Sequence, residues 1–438
     1  MRTRATRTVV WALALSLVIA ACAPADETDD AATPEANDEA EATPTDDPVE
    51  LNVLVEAGGL QLQAEIAELF EQETGHTVTF IEVPYEGVFD RLTTEMAGGS
   101  SAIDVATVDV VWLPTFADFA EPLDDLFTDE VIDDLFPALV DDAQFNGTFV
   151  GMPQWTNTEI TFYRQDLLDD PDEQAAFEAE YGYELTAPTT WDEFADMAEF
   201  FTREEMFGTD VKGSVETEWL AHVLQAGAPA VIIDDDGSVI VDSDEHLEAL
   251  EFYTGLHCGQ AVSPPGVSQI GWAEAQNYFY QGQTALLRFW AHAYRLTPDD
   301  SVVEGNVGVA PMLEGPAGVA GIPGPWYNIV PSTSENLEVA KEFVAFAYEH
   351  NHLGIEAPLG LAARISAYER YADQEGFEHF EPMIETLSAE QTRGRPMVEN
   401  WQEIVDEVLI PMLQRALSCD ADLEELLSNA ASQIDDMQ

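Results

Sequence analysis

Val49–Glu56, VELNVLVE, is a short apolar run with strand composition, and Ala57-Gly58-Gly59 ends it. Leu62, Ile66, Leu69 and Phe70 then recur at helical spacing. Thr77–Val83, TVTFIEV, predicts a second strand, Val88–Met96 a helix and Ile103–Val111 a third strand. Strands that alternate with helices imply a parallel, doubly wound sheet. Ligands of such sheets bind beyond the carboxyl ends of the strands. That rule gathers Glu56, Tyr85, Asp109 and Trp112, each at a strand end or in the loop after it.

Further along, Asn146-Gly147 predicts a tight turn between two short strands, and Ile160–Arg164 another strand. Thr190 and Glu193 have capping-box spacing at the start of a helix, whose buried face reads Trp191, Phe194, Met197, Ala198 and Phe201. Asp234-Asp235-Asp236-Gly237 lacks the alternating oxygen ligands and distant Glu of a calcium loop. Val231–Val241 is expected to be a hairpin with an Asp-Gly turn. Ala340, Phe343, Val344 and Ala347 mark one more helical face.

The N-terminal end has a different pattern. Arg2, Arg4 and Arg7 precede an uncharged run, Val9–Ala21, that is too short for a spanning helix of about 20 residues. A basic start, a short apolar core and small residues at its end predict a secretory signal over 1–21. Without a twin-arginine pair, the general secretory route is expected. Ile19-Ala20-Ala21-Cys22 resembles the lipobox of bacterial lipoproteins, which implies cleavage before Cys22 and a diacylglyceryl group on its sulfur. Residues 22–48 are then expected to be a disordered acidic tether, since Ala23–Pro48 has no Lys, Arg or aromatic residue.

Composition narrows the partners. Hydrophobic residues make up 46% of the chain, enough for a globular core, yet the formal net charge is −70. Lys212 and Lys341 are the only lysines. Acid spread along the whole length predicts a salt-adapted surface, on which carboxylates hold water while salt screens their repulsion. Nucleic acid is not expected as a partner, because phosphate binding needs clustered cations. Cys258 and Cys419 remain after Cys22. A bridge between them and two separate buried thiols are both open. No ligand set at metal-site spacing accompanies His257-Cys258, so neither metal nor cofactor is expected.

DVVWLPTFADFAEPLDDLF, FNGTFVGMPQWTNTEITFYRQDLL and PTTWDEFADMAEFFT occur in that order. YFYQGQTALLRFW, GNVGVAPMLEGPAGVAGIPGPWYNIVPSTSENLEVAKEFVAFAY and NWQEIVDEVLIPML follow. Together they resemble the family 1 extracellular solute-binding proteins of ABC importers, the sugar-binding group, over nearly everything from Val49 onward. The resemblance implies a two-lobed α/β fold of the periplasmic-binding-protein type II kind, with three hinge crossings. The crossings would fall near Asn157–Thr161, Pro311–Gly315 and Ala357–Leu361. Residues 49–157 plus 314–356 would form one lobe, and 158–313 plus 357–438 the other. It further implies a monomer that captures a sugar between its lobes, stands outside the cell on its lipid anchor and docks on a separate permease.

Sugars need aromatic platforms and planar polar groups. Trp112, Trp155, Trp290, Trp326 and Tyr327 stand at positions that match loops of that family. Glu56, Asp109, Asn157 and Arg364 are the expected hydrogen-bonding residues, joined by Tyr85 and Gln154. Two other readings compete. A polyol, a compatible solute or glycerol 3-phosphate is one, with Arg288 and Arg364 as the cations a phosphate would want. A secreted glycoside hydrolase is the other. It would need two carboxylates flanking the bond, and 85 acids make such a pair findable by chance.

Overall fold

The computed structural model describes residues 47–234 and 236–438. The chain divides into Met1–Asp47 and Pro48–Gln438. The expected signal segment, the expected lipidation site Cys22 and all but the last two residues of the expected acidic tether lie outside the described residues. Among the described residues no helix is long and apolar enough to cross a membrane.

Two sheets organise Pro48–Gln438, each at the centre of one lobe. Strands β1 (Glu50–Glu56), β2 (Thr77–Val83) and β3 (Val105–Asp109) pair in parallel, in the order β2-β1-β3. They are connected by the helices Leu60–Thr74 and Tyr85–Ala97, as the β–helix–β pattern predicts. Two-residue strands β4 (Gln144–Phe145) and β5 (Thr148–Phe149) enclose the Asn146-Gly147 turn. Both turn residues have positive φ, 52° and 81°, as a two-residue hairpin demands. Strand β6 (Met152–Trp155) ends the first passage through this lobe.

The chain then crosses to a three-stranded antiparallel sheet, order β8-β7-β9. Its strands are β7 (Glu159–Arg164), β8 (Leu286–Trp290) and β9 (Val307–Ala310). A hairpin, β10 (Glu314–Gly315) with β11 (Gly318–Val319), follows. The chain returns to the first sheet in β12 (Trp326–Ile329), which pairs antiparallel with both β3 and β6. The first sheet is therefore mixed, not wholly parallel: β6 and β12 lie beside the crossings rather than inside β–helix–β units.

The helix Leu337–Glu349 buries Ala340, Phe343, Val344 and Ala347, the face read from the sequence. The helices Ile365–Ala372 and Phe380–Ser388 follow, the second packed on β7. The three passages lie side by side. Gly324 N–H donates to Asn157 O at 2.8 Å and Thr156 N–H to Ala362 O at 2.8 Å. Tyr368 O–H donates to Thr156 O at 2.9 Å.

Helix Trp191–Phe201 starts as expected, with Thr190 Oγ1 accepting from Glu193 N–H at 3.2 Å. Glu193 returns its bond one residue earlier, to Thr189 N–H. Val231–Val241 closes through a single antiparallel bridge, Ile233 to Val239, rather than a full hairpin ladder. Cys258 and Cys419, 161 residues apart, are joined by a disulfide.

Candidate functional site

Strand register assembles the site. In the first sheet Trp326 stands opposite Asp109 on one side and Trp155 on the other, with an irregularity between Trp326 and Tyr327. Glu56 ends β1 and Asp109 ends β3, so all four meet where the parallel strands finish. In the second sheet Glu159 pairs with Trp290 at the facing edge. The cavity between these two edges measures about 550 Å³.

Its first-lobe wall is aromatic. The Trp155 and Trp326 rings stack at 5.3 Å with 22° between their planes, and Tyr85 meets Trp326 edge-on at 5.8 Å. Gly59 makes this possible, because a Cβ there would lie 2.4 Å from Trp155 Cη2. The opposite wall holds Trp272 and Trp290, with ring centroids 5.4 Å apart. Gly324 lets the Trp290 ring come close, since a Cβ there would lie 3.0 Å from it.

Polar groups stand between the walls. Tyr85 O–H donates to Asp109 Oδ2 at 3.2 Å, and Glu56 Oε2 accepts from Gly59 N–H at 3.0 Å. Asn157 Oδ1 accepts from Thr158 N–H, which directs its amide nitrogen to His292 Nδ1 at 2.5 Å. Burial holds His292 neutral, its pKa lowered to about 4. With Nδ1 accepting from the amide, the ring proton sits on the other nitrogen, which is then a donor. Arg395 lines the cavity 3.6 Å from Asp109. Burial raises the Glu216 carboxyl, against the pull of Arg395.

Behind Thr217 lies a buried ionic cluster. Lys212 pairs with Asp210 at 2.7 Å and with Glu218, and Arg288 pairs with Glu218 at 2.6 Å. Two cations face two anions. Glu159, which accepts from Thr217 Oγ1 at 2.7 Å, is a third acid beside them. Burial, and then repulsion by Glu218, push its pKa up to about 8, so it is mostly protonated at neutral pH.

Seven of the residues expected from the sequence line the cavity: Glu56, Tyr85, Asp109, Trp155, Asn157, Trp290 and Trp326. Four do not. Trp112 is buried behind Tyr85 and Trp326, at 4.8 and 5.7 Å, and supports the wall without facing the cavity. Gln154 alternates with Trp155 along β6, and its amide accepts from Asn328 in a buried chain that also holds Thr107 and Gln63. Tyr327 alternates with Trp326 in the same way; it is fully buried and donates to Leu139 O. Arg364 pairs with Asp134 at 2.7 Å and donates to Glu349 O, away from the cavity. Arg288, a cation that a phosphate would have wanted, is consumed by the buried cluster. Glu216, Thr217, Trp272, His292 and Arg395 were not foreseen. Trp272 carried a signal, a tryptophan opening a helix just after Gly271, but many core tryptophans carry the same one.

Two α/β lobes that meet across an aromatic cleft and are joined by three adjacent passages define a hinged solute-binding protein. The chain belongs to the bacterial extracellular solute-binding protein family, whose model matches residues 54–350. It is similar to a probable ABC transporter-binding protein of Deinococcus radiodurans, 28% identical over 311 residues, 66% of this chain and 70% of the relative. It is 26% identical over 203 residues to the mannitol-binding protein of Pseudomonas aeruginosa, 45% of this chain and 44% of that one. The maltose-bound T. maritima MalE3 structure shares the fold with a TM-score of 0.71 and 27% identity, covering 89% of this chain and 100% of its own. The family and these relatives are substrate-binding transport proteins.

Proposed function

We propose that the protein captures a carbohydrate between its lobes by hinge closure and delivers it to an ABC permease. The observation that carries this reading is the stacked Trp155–Trp326 pair facing Trp272 and Trp290 across a cavity with fixed planar polar groups. Sugar C–H faces pack on the rings, and hydroxyls bond to Glu56, Asp109, Asn157 and His292. Tyr85 holds Asp109 in place. The maltose of the T. maritima structure supports a sugar. The mannitol of the Pseudomonas relative supports a polyol as the second reading. Phosphorylated solutes lose ground: Arg288 and Arg364 stand elsewhere, and Arg395, the cation that does line the cavity, sits among the carboxylates of Glu56, Asp109 and Glu216.

The hinge in this reading runs through residues 156–158, 320–325 and 357–364. The hairpin β10–β11 stays with the second lobe, because Glu314 N–H donates to Thr189 O and Ala317 N–H to Gln225 O. These bonds support a second crossing later than the expected Pro311–Gly315. A lipid on Cys22 and a tether over 22–48 would keep this monomeric receptor beside its permease on the outer face of the membrane, and the acid-rich surface suits a salty medium.

Thermal unfolding in molar salt against mono-, di- and trisaccharides, polyols and glycerol 3-phosphate tests the proposal. A ligand at about 100 times its Kd adds about 2.7 kcal/mol. A shift with one neutral sugar class is the expected result. A shift with linear polyols alone moves the assignment to the second reading, and silence across the panel refutes both.

A further inference from the structure

Arg395 is carried by the segment 392–398, which has no regular structure and lies between the helices Phe380–Ser388 and Trp401–Ile404 of the second lobe. Thr392 Oγ1 accepts from Gly321 N–H at 3.1 Å and donates to Thr386 O at 2.6 Å, which ties the segment to the hinge. Gly394 lies against the first lobe so closely that a Cβ would come 2.2 Å from Asp142 Oδ1. The segment is thus a strap across the groove, separate from the three crossings.

Two cavities flank it. One is the candidate site. The other, about 500 Å³, lies between Pro137–Asp142 of the first lobe and Pro229–Gly237 of the second. Arg395 is the one described residue that lines both. Its side chain is 11% exposed, yet no protein group accepts from its Nε. At 3.6 Å its contact with Asp109 is an attraction rather than a hydrogen bond. The guanidinium therefore keeps one buried donor, Nε, unspent on a side chain that lines the cavity, where an unmade hydrogen bond is costly.

We propose that Arg395 determines ligand size and affinity: it donates to ligand hydroxyls and ends the cavity, so that the site takes a mono- or disaccharide and excludes longer chains. This deepens the carbohydrate reading and rests on it. A cavity of about 550 Å³ lies within the roughly 300–1,000 Å³ range of small-ligand sites. Because Arg395 lines both cavities, removing its guanidinium is expected to open one toward the other.

The test is calorimetric titration of the full chain, native and with Arg395→Ala or Arg395→Lys, against malto-, xylo- and arabino-oligosaccharides of one to four rings. Native protein is expected to bind only the one- or two-ring members of one series. Arg395→Ala should bind these about 10- to 100-fold more weakly, the loss of charge-assisted donors, and should newly accept three or four rings. Arg395→Lys, which keeps the charge and the bulk but loses the planar fork, should weaken binding without gaining the longer chains. Arg203→Ala, in an exposed pair with Glu173 away from the cavity and the hinge, should match the native protein. An Arg395→Ala protein with native affinity and native length preference overturns this inference alone, as does native protein that prefers four rings. Native protein silent with every series overturns the carbohydrate reading and this inference with it.

Discussion

Replacing Gly59 by alanine is expected to damage the site without removing any group that faces the ligand. Gly59 has φ −72° and ψ −24°, ordinary right-handed backbone, so alanine adds no conformational strain. The new methyl would stand 2.4 Å from Trp155 Cη2, 2.9 Å from Cζ2 and 3.1 Å from Val55 Cγ2. Carbon atoms rest about 3.5–4.0 Å apart, so the indole must retreat by roughly 1–1.5 Å. Its retreat is opposed by Trp326, stacked at 5.3 Å, and by Leu62 and Leu361, which pack in the same small cluster. Overpacking of this kind costs about 1–3 kcal/mol. Loss of glycine freedom in the unfolded chain offsets about 0.4–1 kcal/mol. The variant should therefore fold, with a net loss between about 0 and 2.5 kcal/mol. The disturbed platform forfeits an aromatic contact worth about 0.5–1.5 kcal/mol, or roughly 2- to 12-fold in Kd. Urea unfolding, near-ultraviolet circular dichroism and titration with the sugar found by thermal shift measure the three quantities. Native affinity together with a native tryptophan spectrum in Gly59→Ala would refute the packing argument, since the methyl would then have met nothing.

Arg288→Ala should be among the most damaging single changes outside the site. It leaves Glu218 with Lys212 alone in a fully buried setting, a loss of about 3–5 kcal/mol readable by urea unfolding. Stability should fall as pH rises from about 7 to about 9, above the range in which unfolded-chain histidines still release protons that buried His292 and His246 do not hold. Burial raises both Glu159 and Asp142 to about 8, so the native state holds protons that the unfolded chain releases near pH 4. Glu159→Gln keeps the oxygen that accepts from Thr217 and should flatten part of that slope in a pH series of unfolding midpoints. Reducing the Cys258–Cys419 bridge frees a chain segment of 161 residues and should cost about 2–4 kcal/mol in urea with and without dithiothreitol. A midpoint unmoved by reductant would count against the bridge as a stabilising link.

Much of the fold was legible because periodicity is local. The face Ala340, Phe343, Val344 and Ala347 and the cap at Thr190 need only a few residues of context, and both are present. Glu56 and Asp109 were found because strand ends have a topological meaning that survives without coordinates. What failed was the choice between strand neighbours. Trp155 and Gln154, like Trp326 and Tyr327, point to opposite faces, and only the paired register tells which face meets the cleft. Arg364 was misplaced because its partner Asp134 lies 230 residues away, and no local pattern announces such a pair. Trp272, His292 and Arg395 stayed hidden for the same reason: loops far apart in the chain converge only after folding.

The charges of this protein fall into two populations that respond to dissolved ions in opposite ways. Most of the 85 acids repel one another across water, and at 1 M salt that repulsion fades beyond about 3 Å. Asp210, Lys212, Glu218 and Arg288 attract one another where mobile ions do not enter, and their grip is indifferent to the medium. Adding salt therefore relaxes what strains the molecule and spares what binds it. Diluting the salt acts as a lever on one side only, so the protein should loosen first at its acidic periphery, while the ionic core beside the binding cleft holds its shape.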